Sequence, residues 1–102
     1  MVNVYLSGTV ANEDGNTSGS VGPVTSEAVA QNHNRMCLTL VNDGPSTVYL
    51  GIGARAEINK GVRLNANGGS YEINSLNLST GTVNAITSSG TSSLCVMEMG
   101  TQ

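Results

Sequence analysis

The stretch Arg35-Met36-Cys37-Leu38-Thr39-Leu40-Val41-Asn42-Asp43-Gly44-Pro45-Ser46-Thr47-Val48-Tyr49-Leu50-Gly51-Ile52 decides the fold class. Met36, Leu38 and Leu40 alternate with Cys37, Thr39 and Val41, the two-residue period of a strand. Asn42 to Ser46 then supplies turn chemistry: Asn and Asp fold onto their own backbone, Gly accepts positive φ and Pro fixes its own. Val48, Leu50 and Ile52 alternate with Tyr49, Gly51 and Gly53. Two such runs joined by a short turn predict an antiparallel hairpin.

The same rhythm continues toward the C-terminus. Val62 and Leu64 begin a third strand, and Asn67-Gly68-Gly69 turns it. Tyr71 and Ile73 share one face of a fourth. Leu76 and Leu78 form a short alternating piece, closed by Ser79-Thr80-Gly81. Val83, Ala85 and Ile86 lie in a further strand, Ser88 to Thr91 is a turn, and Leu94 to Met99 is the last strand. Short strands at this spacing, without a helical period, predict an all-β unit. The expected architecture is a small antiparallel β-sandwich or a jelly-roll-like barrel.

Toward the N-terminus the rhythm fades. Val2, Val4 and Leu6 alternate with Asn3, Tyr5 and Ser7, a brief strand pattern. Asn12 to Ser20 is polar and Gly-rich and has little to bury. Gly22-Pro23 punctuates the chain again, and Val24 to Ala30 fits a short strand or a helical turn. The first basic residue is Arg35. The chain is therefore divided into an extended N-terminal arm, 1–34, and a β-sandwich domain, 35–102.

Composition narrows the function classes. The chain has 102 residues, of which Asn, Ser and Thr make 34, with no Phe, no Trp and three Tyr. Four Lys and Arg against seven Asp and Glu give a net charge of −3, which argues against a nucleic-acid partner. No apolar run approaches the roughly 20 residues of a membrane-spanning helix, so no membrane partner is expected. Met1 to Leu6 lacks the positive region of a secretory signal, which predicts synthesis and use in a cytoplasm or export by another route. A core without large aromatic rings in a domain of this size gains from oligomerisation or from docking on a larger scaffold.

Chemistry-bearing residues are sparse and scattered. His33 is the one histidine and stands in a polar stretch with no ligand or nucleophile at a useful spacing. Glu13-Asp14 is a solvated pair in the polar segment. Gly51-Ile52-Gly53 lacks the rest of a nucleotide-binding fingerprint and reads as a tight turn or close backbone contact. Asn16-Thr17-Ser18 and Asn77-Leu78-Ser79 match glycosylation sequons, which carry no weight without a secretory signal. Cys37 and Cys95 have no CxxC or His/Cys context, so no metal site is expected. They read as two buried thiols, or as a disulfide if the first and last core strands are neighbours. Arg55, Lys60 and Arg63 form the one basic cluster, either solvated loop charges, some paired with Glu57, or a contact for nucleic acid or an acidic protein surface. Together these features predict a binding protein without a cofactor and not an enzyme.

The segment from Arg35 to Met99 resembles the small virion proteins of tailed bacteriophages, the capsid decoration (cement) and head-fibre type. The resemblance runs through Arg35-x-x-Leu38-x-Leu40-x-Asn42, Val48 to Gly53, Gly61-Val62-Arg63-Leu64, Thr82 to Ile86 and Gly90 to Glu98. It implies a structural virion protein on the outer capsid surface that stabilises capsomer contacts. The implied partners are the major capsid protein or another virion protein, and copies of the chain itself, as a trimer. In that setting Val2, Val4, Tyr5 and Leu6 would meet the partner by adding a strand or filling a groove, and Arg55, Lys60 and Arg63 would contribute charge. The alternative is a carbohydrate-binding or other adsorption or tail-neck accessory module. Such sites stack sugars on exposed aromatic rings, and three Tyr offer little for that.

Overall fold

The structure, a computed structural model, describes residues 9–101, with side chains from Gly15 onward. Eight strands and no helix occupy the described residues: β1 (Thr9–Val21), β2 (Ser26–Val29), β3 (Arg35–Asn42), β4 (Val48–Ile52), β5 (Val62–Leu64), β6 (Ser70–Ile73), β7 (Val83–Thr87) and β8 (Ser92–Thr101). They form two four-stranded antiparallel sheets, ordered β1-β8-β3-β6 and β2-β7-β4-β5. Only β4 and β5 are consecutive strands paired with each other; every other connection passes from one sheet to the opposite one.

Alternation explains the core. Leu38, Leu40, Ile73, Leu94, Val96 and Val21 point inward from the first sheet. Val48, Leu50, Leu64, Val83, Ala85 and Val29 meet them from the second. Each fully buried aliphatic side chain contributes about 1.5–3 kcal/mol. No aromatic ring belongs to this layer, and Tyr71 packs against its margin.

The structure corrects several expectations. β3 and β4 are not a hairpin: the link 43–47 carries the chain from one sheet to the other. Leucines on alternating strands bury their side chains as well by facing across a sandwich as by sitting side by side, so alternation alone does not choose. Within β3 a bulge between Arg35 and Cys37 resets the phase, turning Arg35 inward and leaving Met36 36% exposed. The Leu76 and Leu78 piece is not a strand. Asn74 organises a turn there by accepting from the Leu76 N–H and donating its own N–H to Asn77 Oδ1, and Leu76 is 94% exposed.

The boundary at residue 34 does not separate an arm from the sheets over residues 9–29. Asn16 to Val21 pair with Met97 to Ser92, and Ser26 to Val29 pair with β7. Between Ala11 and Asn16 the register breaks, so that residues 12–15 stand opposite Glu98 alone. Val2, Val4, Tyr5 and Leu6 lie outside the described residues.

Candidate interaction surfaces

The two polar ends of the Arg35 to Asn42 motif are structural. Arg35 is 1% exposed. Its Nε donates to Glu98 Oε2 at 2.7 Å, Nη1 donates to the carbonyls of Ser79 and Gly81, and Nη2 donates to the carbonyl of Ala30. The planar fork of donors suits this task, because each carbonyl lies on a different chain segment. One side chain therefore ties the β2–β3 and β6–β7 connections to β8.

Asn42, fully buried, does the same at the opposite end. Its Nδ2 donates to the carbonyls of Ser46, Leu64 and Asn65, and its Oδ1 accepts from the Gly44 N–H and from Ser92 Oγ. Sequence reasoning missed both roles. The available signal concerned Asn42 alone, a polar residue in the inward phase of Leu38 and Leu40; Arg35 is out of that phase and turns inward through the bulge.

The basic residues occupy one loop and one edge. The β4–β5 connection lies across the solvent side of the second sheet. A Cβ on Gly51 would meet the carbonyl oxygens of Ala54 and Arg55 at 2.5 Å, and Gly61, at φ 75°, leaves room for the Leu50 carbonyl. Asn84 Nδ2 donates to the Ala54 carbonyl, the Ala56 N–H donates to Thr25 Oγ1, and Ala56 is buried. Arg55, Glu57 and Lys60 share the shallow recess this makes, with Lys60 and Glu57 3.4 Å apart and exposed. Arg63 stands on β5 and donates to Asn65 Oδ1. An exposed pair of this kind contributes at most about 1 kcal/mol.

The two tyrosines among the described residues, Tyr49 and Tyr71, pack against the fold. Tyr49 is 7% exposed beneath that loop, and its hydroxyl donates to Asn59 Oδ1. Tyr71 is half-buried against the core, and its hydroxyl accepts from Asn77 Nδ2. Tyr49 offers no open ring face, and Tyr71 is partly exposed. His33 is exposed and pairs with the Gln31 amide. Among the described residues, no three His, Cys, Asp or Glu side chains gather as metal ligands.

The solvent side of the first sheet is different. Cys37, Thr39 and Val41 of β3 and Cys95, Met97 and Met99 of β8 sit in the outward phase, all half-exposed. Strands β1 and β6 flank them with Asn16, Ser18, Ser20, Ser70 and Glu72, so Glu72 is the one charge among these eleven positions. The thiols are unpaired. Their strands are neighbours, as a disulfide requires. But Cys37 faces Met99 and Cys95 faces Val41, an offset of four residues. That is about 13 Å along the strands, beyond disulfide reach.

The β1 margin is open. Thr17 and Gly19 face inward by register, opposite Val96 and Leu94, yet both are exposed. A cavity of about 70 Å³ lies between β1 and β2, bordered by Thr17, Gly19, Val21, Ala28, Leu94 and Val96. Comparison with protein-family models, with curated proteins and with solved structures finds no match to this chain.

Proposed function

We propose that this chain is a structural virion protein of the capsid decoration type, which binds the outer surface of a phage head as a trimer and stabilises capsomer contacts. The observation that carries the reading is the outward face of the first sheet. Cys37, Val41, Cys95, Met97 and Met99 form a nearly uncharged, partly exposed apolar band across two neighbouring strands. A band of this kind marks a protein contact. Repetition around a shell sums weak individual contacts by avidity, and no strong charge is needed. The strand order β1-β8-β3-β6 over β2-β7-β4-β5 supports a jelly roll, an architecture recurrent in viral capsid and lectin domains. The resemblance of the Arg35 to Met99 segment selects the virion branch of that pair. The buried ring of Tyr49 and the half-buried ring of Tyr71 weigh against the sugar-binding branch.

The test is co-sedimentation with undecorated phage shells, read by negative-stain imaging. Saturable binding is expected, with loss of binding in Val41→Glu and Met97→Glu variants that keep the wild-type circular dichroism. Shells left bare by the wild-type protein, together with a specific glycan-array signal, would transfer the function to adsorption.

A further inference from the structure

The geometry points to β1 as an acceptor: the open margin between β1 and β2 takes residues 2–6 of a second copy as an added strand. The inference rests on the oligomeric part of the reading above and not on the shell. The four outer strands of the two sheets differ in protection. β2, β5 and β6 are three to four residues long, and each carries a charge, at Glu27, Arg63 and Glu72 respectively. Short charged edges resist pairing with another chain. β1 spans Thr9–Val21, and from Asn16 to Val21 it has neither charge nor proline. Its free N–H and C=O groups remain available there.

The space beneath β1 is unfilled as well. A Cβ on Gly19 would have no atom within 4 Å. The cavity of about 70 Å³ there has a floor that includes Leu94 and Val96. An added strand would satisfy the edge, and its apolar side chains would close the space.

Reach identifies the donor. As an extended strand, residues 2–6 would place Val2, Val4 and Leu6 on one face. Thr9 is paired with Thr101, while Gly19 is paired with Leu94, seven residues along β8. That separation is about 23 Å. Val4 is five residues before Thr9 and Leu6 three before it. Fully extended, they reach about 18 Å and 11 Å, and reversing direction at Gly8 shortens both. Val2, seven residues before Thr9, reaches about 25 Å fully extended and so approaches its own chain's cavity with its tip alone, whereas a neighbour's segment can lay all three side chains along it. Donor and acceptor surfaces differ, so the exchange is head-to-tail, and a three-fold rotation would close it as a ring.

Sedimentation of the full chain, without any shell, tests this. The wild type is expected at a multiple of 10.4 kDa, three-fold for the ring proposed above. Gly19→Val fills the cavity from within, and Val4→Asp with Leu6→Asp disables the donor. Both variants are expected at the single-chain mass, with circular dichroism retained, cooperative melting, and a melting temperature lowered by the lost association. A wild type that stays at the single-chain mass overturns the inference, and so does an arm variant that keeps the wild-type mass. Should Gly19→Val unfold, the arm variant alone decides. Loss of shell binding by a protein that still self-associates would instead count against the decoration reading.

Discussion

Strands β3 and β1 lie on either side of β8 in one sheet, yet they are built on opposite terms. Every inward position of β3 is filled: Arg35, Leu38, Leu40 and Asn42 are each at most 1% exposed. Both of its ends are fastened to loops by buried hydrogen bonds. β1 has the longer ladder with β8, but its inward Thr17 and Gly19 touch solvent. The contrast separates two jobs. β3 fixes the sandwich, and β1 leaves main-chain groups and an interior space open.

The largest effect expected from this contrast is at Arg35. Arg35→Met leaves Glu98 and three carbonyls without their donor, and breaking a buried pair costs about 3–5 kcal/mol. Urea unfolding should show it as a lower midpoint at unchanged slope. A loss below about 1 kcal/mol, the range of an exposed pair, would mean that β3 is not held from its ends. Asn42→Ala comes next, at about 2–3 kcal/mol, because the carbonyls of Ser46, Leu64 and Asn65 lose their partner inside the fold. Thermal melting of the two variants side by side ranks the two ends.

On β1 the sign reverses. Gly19→Ala meets no atom within 4 Å, and it is expected to stabilise by about 0.5–1 kcal/mol through reduced freedom of the unfolded chain. A destabilised Gly19→Ala in the same urea titration would show that the margin is already closed. The smallest effect is at Thr17. Thr17→Asp places a charge at an inward position and should still change stability by no more than about 0.5 kcal/mol, measured at low protein concentration. A cost of several kcal/mol would make β1 an ordinary core strand and erase the contrast.

The strands themselves were legible from alternation, and β3, β4, β7 and β8 fall close to where the apolar runs lie. Which sheet each strand joins was not, because Leu38 and Leu40 bury equally well beside Val48 and Leu50 or across from them. Most of β1 was invisible for the reason that makes it interesting: Asn16 to Ser20 lacks apolar residues because that edge is unfilled. The bulge at Met36 was not legible, because Met36 keeps the alternation of Leu38 and Leu40 and only the buried Arg35 reveals the shift. The outward apolar band was written in Val41, Met97 and their neighbours, which make both phases of β3 and β8 apolar. Periodicity read for one buried face passes over such a signal. The Arg55 and Lys60 loop was legible as a loop, but its path across the second sheet depends on Gly51 and Gly61, whose role appears only with Ala54 and Leu50 in place.

The strand order also bears on how the molecule assembles itself in time. Apart from β4 with β5, each ladder joins strands separated by others, and β1 is paired with β8. The first sheet therefore cannot close until its last strand is present, and chain-loop entropy is spent before most contacts form. Folding on the millisecond-to-second scale follows, as for other all-β units dominated by distant pairings. Until β8 arrives, the free side of β1 has a competitor for its proper neighbour in any other chain nearby.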